Sequence, residues 1–373
     1  YSSDRNKSLT YGLALGYVES YSDVKSAFDN EQKVSAAFRE TDFSAYVKKD
    51  FDFGIMNAYF SRQGNVFQAY GYNPNSKLEE KFTQEYWGYS TMSVSLQSKN
   101  TDKSKPTYYA KLFAYDLNEQ TENSVSCLLS AQQSVGLNDY SVELAMDYDF
   151  NNLSDKYVFA DSLAKELILT FSPSVSRELG GGYLNLGFEL KSMDTRDSAD
   201  ISYAIFPQIH YDYIFSEKNQ SAYAGVRGGL DENSYWTLSK KNPFILNALT
   251  TDGGGLNLIN SQIKYDVYIG MNSYLGANIN WSSELSYARV QDMSFFDLDD
   301  YSTYQNKFKV VYDDVNHLLW SSELDWEMNS NANLNLQLDY HKYDLDSLQD
   351  YAYKPSIVSK LGFSYNIGDK ILP

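Results

Sequence analysis

The chain has 373 residues, a formal net charge of -18, one cysteine and 16% aromatic residues, among them 34 Tyr and 20 Phe. The acidic charge argues against nucleic acid as a partner, because phosphate binding needs clustered Lys and Arg and the sequence has no basic stripe. The single Cys127 excludes an internal disulfide framework, and no stretch approaches the roughly 18 apolar residues of a membrane helix.

In chain order, apolar and polar residues alternate almost throughout. Residues 1–20 enter a strand pattern directly and contain no signal-peptide pattern of a charged segment and an apolar run. Helical periodicity is confined to two short stretches, 76–86 and 161–169. Outside these two stretches, apolar residues occupy every second position of many segments. This pattern predicts β-strands with one apolar side. The clearest of these in the first two thirds of the chain are 140–150, 183–191 and 201–215.

Two hairpins and a closing strand continue the alternation in the C-terminal part. The first hairpin joins 259–272 to 278–290. The second joins 306–328 to 332–343 through the turn "NSNA", and 355–369 contains the last strand.

The stretch 306–328 is predicted to be one long strand. Its period of two continues past Asp313 and Asp314, so these residues are not a turn between two strands. One side of this strand would carry Phe308, Val310, Tyr312, Asp314, Asn316, Leu318 and Trp320.

The predicted links between strands alternate in length. Short links lie near 50–53, 135–139, 177–182, 216–220, 273–277 and 329–332. Longer polar links lie near 68–85, 151–162, 230–257, 291–304 and 344–353. Short turns on one rim and long loops on the other are typical of a membrane barrel. A soluble all-β sandwich has the same alternation along its strands and is the alternative fold.

Strand length and aromatic placement favour the membrane. Several strands exceed the roughly 9–11 residues that span a bilayer. Aromatic residues stand toward the ends of the apolar sides, as membrane-interface girdles require. We therefore predict an all-β fold, a transmembrane antiparallel up-and-down β-barrel of about 16 strands with short periplasmic turns and long extracellular loops. Residues 1–373 would form a single β-barrel domain, with sequence missing at both ends.

The alternation assigns each strand residue to the lipid or to the lumen. The lipid-facing or girdle residues are predicted to be Trp281, Leu318, Trp320, Trp326, Tyr340 and Tyr365. The polar lumen-facing candidates are Lys264, Asp266, Glu284, Glu323, Asp325, Glu327, Asp339 and His341. These carboxylates indicate either a cation-preferring, solute-binding lumen or a hydrated polar filling that only supports the wall.

Pairing within the second hairpin brings several candidates together. A turn at 329–331 places Glu323 opposite Gln337 and Asp325 opposite Asn335. It also pairs Glu327 with Asn333, and Ser321 with Asp339.

His317 and His341 would lie diagonally on the same face, within reach of each other. A metal site needs a third ligand, which the sequence does not identify, so we predict no metal. No hydrolase elbow or phosphate loop is present, and the glycine runs are read as flexible loops. We predict neither an enzyme nor a cofactor.

Three stretches resemble the barrels of TonB-dependent receptors of Gram-negative outer membranes. They are "VFQAYGYNPN" (66–75), the "NPF" with the glycine-rich loop that leads into a long strand (242–272), and "KPSIVSKLGFSYNIGDKI" (354–371). The resemblance covers most of the chain and implies an uptake role. A plug domain and a TonB-binding segment, which such receptors carry, are not recognised in this sequence.

The functional prediction is an outer-membrane β-barrel for solute passage or uptake, either porin-like or similar to a TonB-dependent receptor. The alternative is a non-conducting structural or docking subunit of an outer-membrane protein complex. The expected location is the bacterial outer membrane. Expected partners are outer-membrane lipid, lipopolysaccharide and other envelope proteins or lipoproteins, with no nucleic acid.

Overall fold

A computed structural model describes residues 8–25, 33–68, 84–100, 102, 105–118, 122–151, 165–194, 201–216, 220–245, 258–276, 278–298, 308–348 and 354–366. They form a 16-stranded antiparallel sheet in which each strand pairs with its neighbours in sequence, as the alternation predicted. The strands are β1 (Leu9–Lys25), β2 (Lys33–Asp50), β3 (Gly54–Gln68), β4 (Gln84–Ser98), β5 (Thr107–Leu117), β6 (Glu122–Val135), β7 (Asn138–Asn151), β8 (Lys165–Leu179), β9 (Gly182–Asp194), β10 (Ile201–Ser216), β11 (Gln220–Asp231), β12 (Ser261–Tyr274), β13 (Ile279–Leu298), β14 (Phe308–Asn329), β15 (Ala332–Leu345) and β16 (Ile357–Tyr365).

Neighbouring strands in the chain are joined by tight turns on one rim. Gly180 and Gly181 connect β8 to β9 with φ values of 61° and 85°. Two successive positive φ values are those of a type I′ turn, whose twist matches that of the flanking strands. Within the described residues, no hydrogen-bonded pairing joins β1 to β16.

The outward face of the sheet exposes large apolar side chains. Ile205 is 70% exposed and Ile269 is 60% exposed. Others of the same kind are Met92, Leu112, Leu129, Leu144, Phe171, Phe188, Val267, Leu285 and Leu361. A water-soluble protein rarely leaves so continuous an apolar surface uncovered, whereas lipid covers it in a membrane barrel. This arrangement supports the barrel over the soluble sandwich.

The helix of the described residues lies elsewhere than the sequence predicted. Helix α1 spans Tyr235–Lys241, within the link between β11 and β12. Residues 84–86 belong to β4 and 165–169 to β8, while 76–83 and 161–164 lie outside the described residues. Across the described ranges, no helix has the length and apolar character needed to cross a membrane.

Strand β14 confirms the single long strand, since it runs for 22 residues through Asp313 and Asp314 without a break. Its neighbour β13 extends to Leu298, so the predicted link at 291–304 is wrong in its first part. The register between β13 and β14 shifts between Val290 and Met293, beside Asp292 at φ 53°. Such a bulge inserts residues on one strand and increases the local twist.

The packing of β14 corrects the predicted sides of this strand. Phe308, Val310 and Tyr312 pack against the buried cluster that includes α1, and not on the side of Trp320. Asp314 and Asn316 keep the outward orientation that was predicted, since both contact Arg289 two residues after the exposed Tyr287.

The hydrophobic core lies inside the curved sheet, on the face that packs against α1, which we call the interior face. It combines residues of the β11–β12 link with strand residues from opposite parts of the sheet. The buried members are Trp87, Tyr89, Leu117, Tyr235, Trp236, Leu238, Ile245, Leu258, Phe296 and Val310.

Candidate functional site

The described parts of the β11–β12 link, residues 232–245 and 258–260, form a unit that we call the inner link. The buried Glu122 carboxylate, at the start of β6, holds the first turn of α1. Its Oε2 accepts from the Tyr235 backbone N–H at 2.8 Å, and its Oε1 accepts from that of Trp236 at 3.0 Å. Charge-assisted bonds of this kind are among the stronger hydrogen bonds in proteins.

Aromatic residues complete the docking of α1. The Trp236 ring stacks on Tyr115, with centroids 4.4 Å apart, and meets Tyr89 edge-on at 5.1 Å. The Tyr89 hydroxyl donates to Ser239 Oγ at 3.0 Å. Lys240 Nζ lies 4.0 Å above the Trp236 ring, and burial lowers the pKa of this lysine. The helix is therefore held by rings on two strands as well as by Glu122.

Further anchors tie the inner link to other strands. Trp87 Nε1 in β4 donates to the Pro243 carbonyl at 2.8 Å. Asn260 Nδ2 donates to Glu166 Oε1 in β8 at 2.6 Å. From the opposite part of the sheet, Val310 in β14 packs into the same core. The inner link thus crosses the interior and narrows it.

A cavity of about 260 Å³ lies against the inner link, and we call it the inner cavity. Residues from β11, α1, β12, β13 and β14 and from the link before β16 line it, among them Arg227, Lys241, Asp266, His317 and Lys354. Arg227 donates to Asp266 at 2.8 Å and to Glu284 at 2.9 Å, and its guanidinium lies 4.4 Å above the Tyr268 ring.

The charged wall continues into an aromatic network. The Tyr268 hydroxyl lies 2.9 Å from His210 Nδ1, and the rings of Tyr223 and Tyr268 are 6.2 Å apart. Charged and polar side chains therefore line this part of the interior, which suits a hydrated surface.

Burial also affects an acidic group of the inner link. Glu232 follows β11, and burial, followed by the charge of Asp147, raises the pKa of its carboxyl to about 7. This carboxyl therefore titrates in the neutral range.

The two histidines meet as predicted. His317 Nε2 and His341 Nδ1 are 3.0 Å apart, and their rings lie nearly parallel to that of Tyr343. Within the described residues, no group of three metal-binding side chains occurs. The pair forms a stacked ladder on the interior face.

The predicted hairpin register is confirmed. Glu323 pairs with Gln337, and Asp325 with Asn335. Asn335 Nδ2 donates to Asp325 Oδ1 at 2.6 Å and to Glu323 Oε1 at 3.2 Å. Both carboxylates therefore accept from the single Asn335 amide of the facing strand.

The remaining polar residues predicted to face the lumen differ in their hydrogen-bond and ion-pair partners. Asp339 accepts from Ser321 at 2.6 Å, whereas Glu327 is exposed near the β14–β15 turn. Asp266 and Glu284 share Arg227, as described above. Lys264 does not join them, because a register shift places it in a β-bulge of β12, where its Nζ donates to Gln262.

The indole N–H groups of two outward tryptophans donate hydrogen bonds to serine hydroxyls of neighbouring strands. Trp281 Nε1 donates to Ser322 Oγ, and Trp320 Nε1 donates to Ser283 Oγ, each at 3.0 Å. In a bilayer core such internal bonds replace the water that an indole N–H otherwise needs. Among the other girdle candidates, Leu318 and Trp326 are partly buried, and Tyr340 and Tyr365 are exposed.

No family model and no curated protein matches the sequence. Solved structures match its fold. The FrpB iron transporter from Neisseria meningitidis (F3-3 variant) gives a TM-score of 0.65 at 9% identity, over 98% of this chain and 64% of that chain. The copper transporter OprC gives a TM-score of 0.62 at 10% identity, over 97% of this chain and 61% of that chain. The fold is therefore similar to the barrels of these transporters.

A third match has the same character. The outer membrane transporter YddB from Escherichia coli gives a TM-score of 0.60 at 9% identity, over 98% of this chain and 60% of that chain. The chain thus spans 60% to 64% of the length of these three structures. The receptor-type barrel fold predicted from sequence resemblance is confirmed.

Sequence reasoning missed the residues that organise this receptor-type barrel internally. The link containing α1 was read only as a long polar loop, although Ser234 and Thr237 form a capping box. In "YAGVRGGLD" the period of two places Arg227 on the side opposite Ala224 and Val226, which is a usable signal for an interior cation. Nothing local marks Glu122 as the carboxylate that holds α1.

Proposed function

We propose that this protein is an outer-membrane β-barrel of Gram-negative bacteria that passes or takes up solutes through its interior. The observation that carries the proposal is the contrast between the two faces of the sheet. The outward face is apolar and exposed, as at Ile205 and Ile269, while the interior face holds the ion-paired Arg227, Asp266 and Glu284. Lipid suits the first face and a hydrated path suits the second.

The inner link supports a selective route over an open pore. It occupies the interior between β4, β6 and β8 on one side and β13 and β14 on the other. A solute must pass beside it or displace it. This feature, together with the fold likeness, favours receptor-like uptake over unrestricted porin-like diffusion.

The same packing favours the second candidate function, a non-conducting structural or docking subunit. If the inner link stays docked, the buried Trp236 and Tyr235 close part of the interior. In that case, the protein would act through other envelope proteins or lipoproteins. Outer-membrane lipid and lipopolysaccharide would contact the wall in both cases.

Solute flux separates the two candidates. The full chain is reconstituted in lipid vesicles, and swelling is measured in sugars and salts of increasing size. Uptake predicts size-limited swelling above that of empty vesicles. Absence of swelling for every solute, with the protein folded and inserted, would reject passage and leave the docking role. Heat-modifiable gel migration checks the folded barrel.

A further inference from the structure

The inner cavity concentrates positive charge in a chain whose net charge is -18. Arg227, Lys241 and Lys354 line it, against Asp231 and Asp266. An acidic protein has little reason to gather cations at one interior place unless they have a partner there.

Two of the three cations are matched. Arg227 is shared by Asp266 and Glu284, at 2.8 Å and 2.9 Å. Lys241 Nζ lies 3.4 Å from Asp231 Oδ2.

The third cation, Lys354, has no carboxylate within salt-bridge distance among the residues that the structure describes. Its Nζ lies over two aromatic rings instead, 4.3 Å from the centroid of Phe295 and 5.8 Å from that of Tyr343. The ring faces attract the ammonium but do not neutralise it. Burial, followed by repulsion from Lys241, lowers the pKa of this lysine to about 8, so the cation still predominates at neutral pH.

We propose that the inner cavity binds a small anion, carrying a carboxylate, sulfate or phosphate group, with the Lys354 ammonium as its principal contact. Lys241 adds long-range attraction, and the hydroxyls of Ser286 and Ser294, which also line the cavity, are available as donors. At about 260 Å³ the cavity lies below the ~300–1,000 Å³ of drug-sized ligand sites, which limits the anion to a small one. The inference rests on the proposed function, since it names the class of solute for the same interior.

The test is direct binding to the full, folded protein in detergent. Sodium sulfate and sodium succinate are titrated separately by calorimetry at fixed ionic strength, with choline chloride as a cation probe. Four proteins are compared: wild type, Lys354→Met, Lys354→Arg and Lys342→Gln. Lys354→Met keeps the aliphatic stem against the rings, and Lys354→Arg keeps the charge. Lys342→Gln removes one charge from an exposed lysine that does not line the cavity.

The proposal predicts saturable binding of at least one anion to wild type and no saturable binding of choline. Lys354→Met should weaken anion binding about tenfold or more, because it removes a charge-assisted contact. Lys354→Arg and Lys342→Gln should each retain binding within about threefold of wild type. If neither anion binds saturably, or if Lys354→Met binds as wild type does, the proposal is overturned.

Folding and transport are separated from binding by two comparisons. Heat-modifiable migration shows whether Lys354→Met folds, and if it does not, loss of binding in Lys241→Gln with retention in Lys354→Arg supports the site. Equal binding in Lys241→Gln and wild type would contradict it. Anion binding without solute flux would support the site and reject the proposed passage, while flux without anion binding would do the opposite.

Discussion

The Glu122 carboxylate lies 2.8 Å from the backbone nitrogen of Tyr235, across 113 positions of the sequence. This bond fixes the start of α1 to the first residue of β6. The bond holds the β11–β12 link inside the sheet, because α1 can then place Trp236 between the rings of Tyr89 and Tyr115. This buried carboxylate is therefore one of the contacts that set the width of the interior.

Glu122→Gln should loosen the inner link. A neutral amide presents only one acceptor, so one of the two α1 backbone N–H groups loses its partner, at a cost of about 1–3 kcal/mol. Hydrogen exchange of residues 235–241 should become faster by the corresponding factor. Glu327→Gln, which changes an exposed carboxyl on another strand, is the matched control and should leave this exchange unchanged. Equal protection of α1 in both variants would contradict the assigned role of Glu122.

Ser283→Ala should destabilise the barrel in lipid. The change leaves the Trp320 indole N–H without its acceptor in an apolar setting, which costs about 1–3 kcal/mol. Urea unfolding in lipid vesicles measures the loss. In a Trp320→Phe background the same serine change should cost less, because no indole N–H is left unpaired. An equal cost in the two backgrounds would show that the bond does not contribute.

Docking of the inner link should be weakest between about pH 7 and pH 8. The pKa of Glu232 is raised from 4.5 to about 7, so its stabilising contribution is present at low pH and is lost as the pH rises through 7. Burial, followed by repulsion from Lys241 of the inner link, lowers the pKa of Lys354 from 10.5 to about 8, so this repulsion is lost and docking is strengthened again as the pH rises from 8 toward 10.5. Each effect amounts to about 3 kcal/mol.

Trp236 fluorescence, taken as the difference between wild type and Trp236→Phe, reports this pH dependence. Glu232→Gln should remove the acidic side of the minimum, and Lys354→Met the alkaline side. The other charged or titratable groups facing Lys354 in the cavity are Arg227, Asp231, Lys241, Asp266 and His317. A steady rise or fall of docking with pH in the wild type would contradict the prediction.

Arg227→Gln should weaken the wall at β11–β13. It leaves the buried Asp266 without its counter-charge, at a cost of about 1–3 kcal/mol after allowance for the partly exposed guanidinium. Adding Asp266→Asn should recover part of the loss in urea unfolding, because the uncompensated charge is removed. Arg289→Gln, which removes the same charge from the outward face, is the control, and its loss should not be recovered by Asp266→Asn. Strict additivity of Arg227→Gln and Asp266→Asn would argue against the coupling.

The period-two alternation was sufficient to predict the wall. It identified β14 as one strand and paired Glu323 with Gln337 and Asp325 with Asn335, because a short turn and a fixed period determine register. It also brought His317 and His341 together. These features could be predicted because they lie within one hairpin, between residues that are close in sequence.

The interior could not be predicted in the same way. Glu122 and Tyr235 are adjacent only because the sheet curves, and no local pattern encodes that contact. The bulge at Lys264 reverses the sides of β12 beyond it, which misplaced Lys264. An inserted residue of this kind leaves the apparent alternation in the sequence unchanged. The sides of β14 also change between Asp314 and Tyr312, which misplaced Phe308, and no local pattern marks that change.

Planar-bilayer conductance tests the central claim most directly, namely that the inner link narrows a solute path through the barrel. The wild-type protein is compared with a variant in which residues 234–258 are replaced by a short Gly-Ser linker, both verified as folded by heat-modifiable migration. We expect small or brief conductance steps for the wild type and clearly larger, long-lived steps for the variant. Equal conductance in the two proteins, or none in either, would contradict the claim.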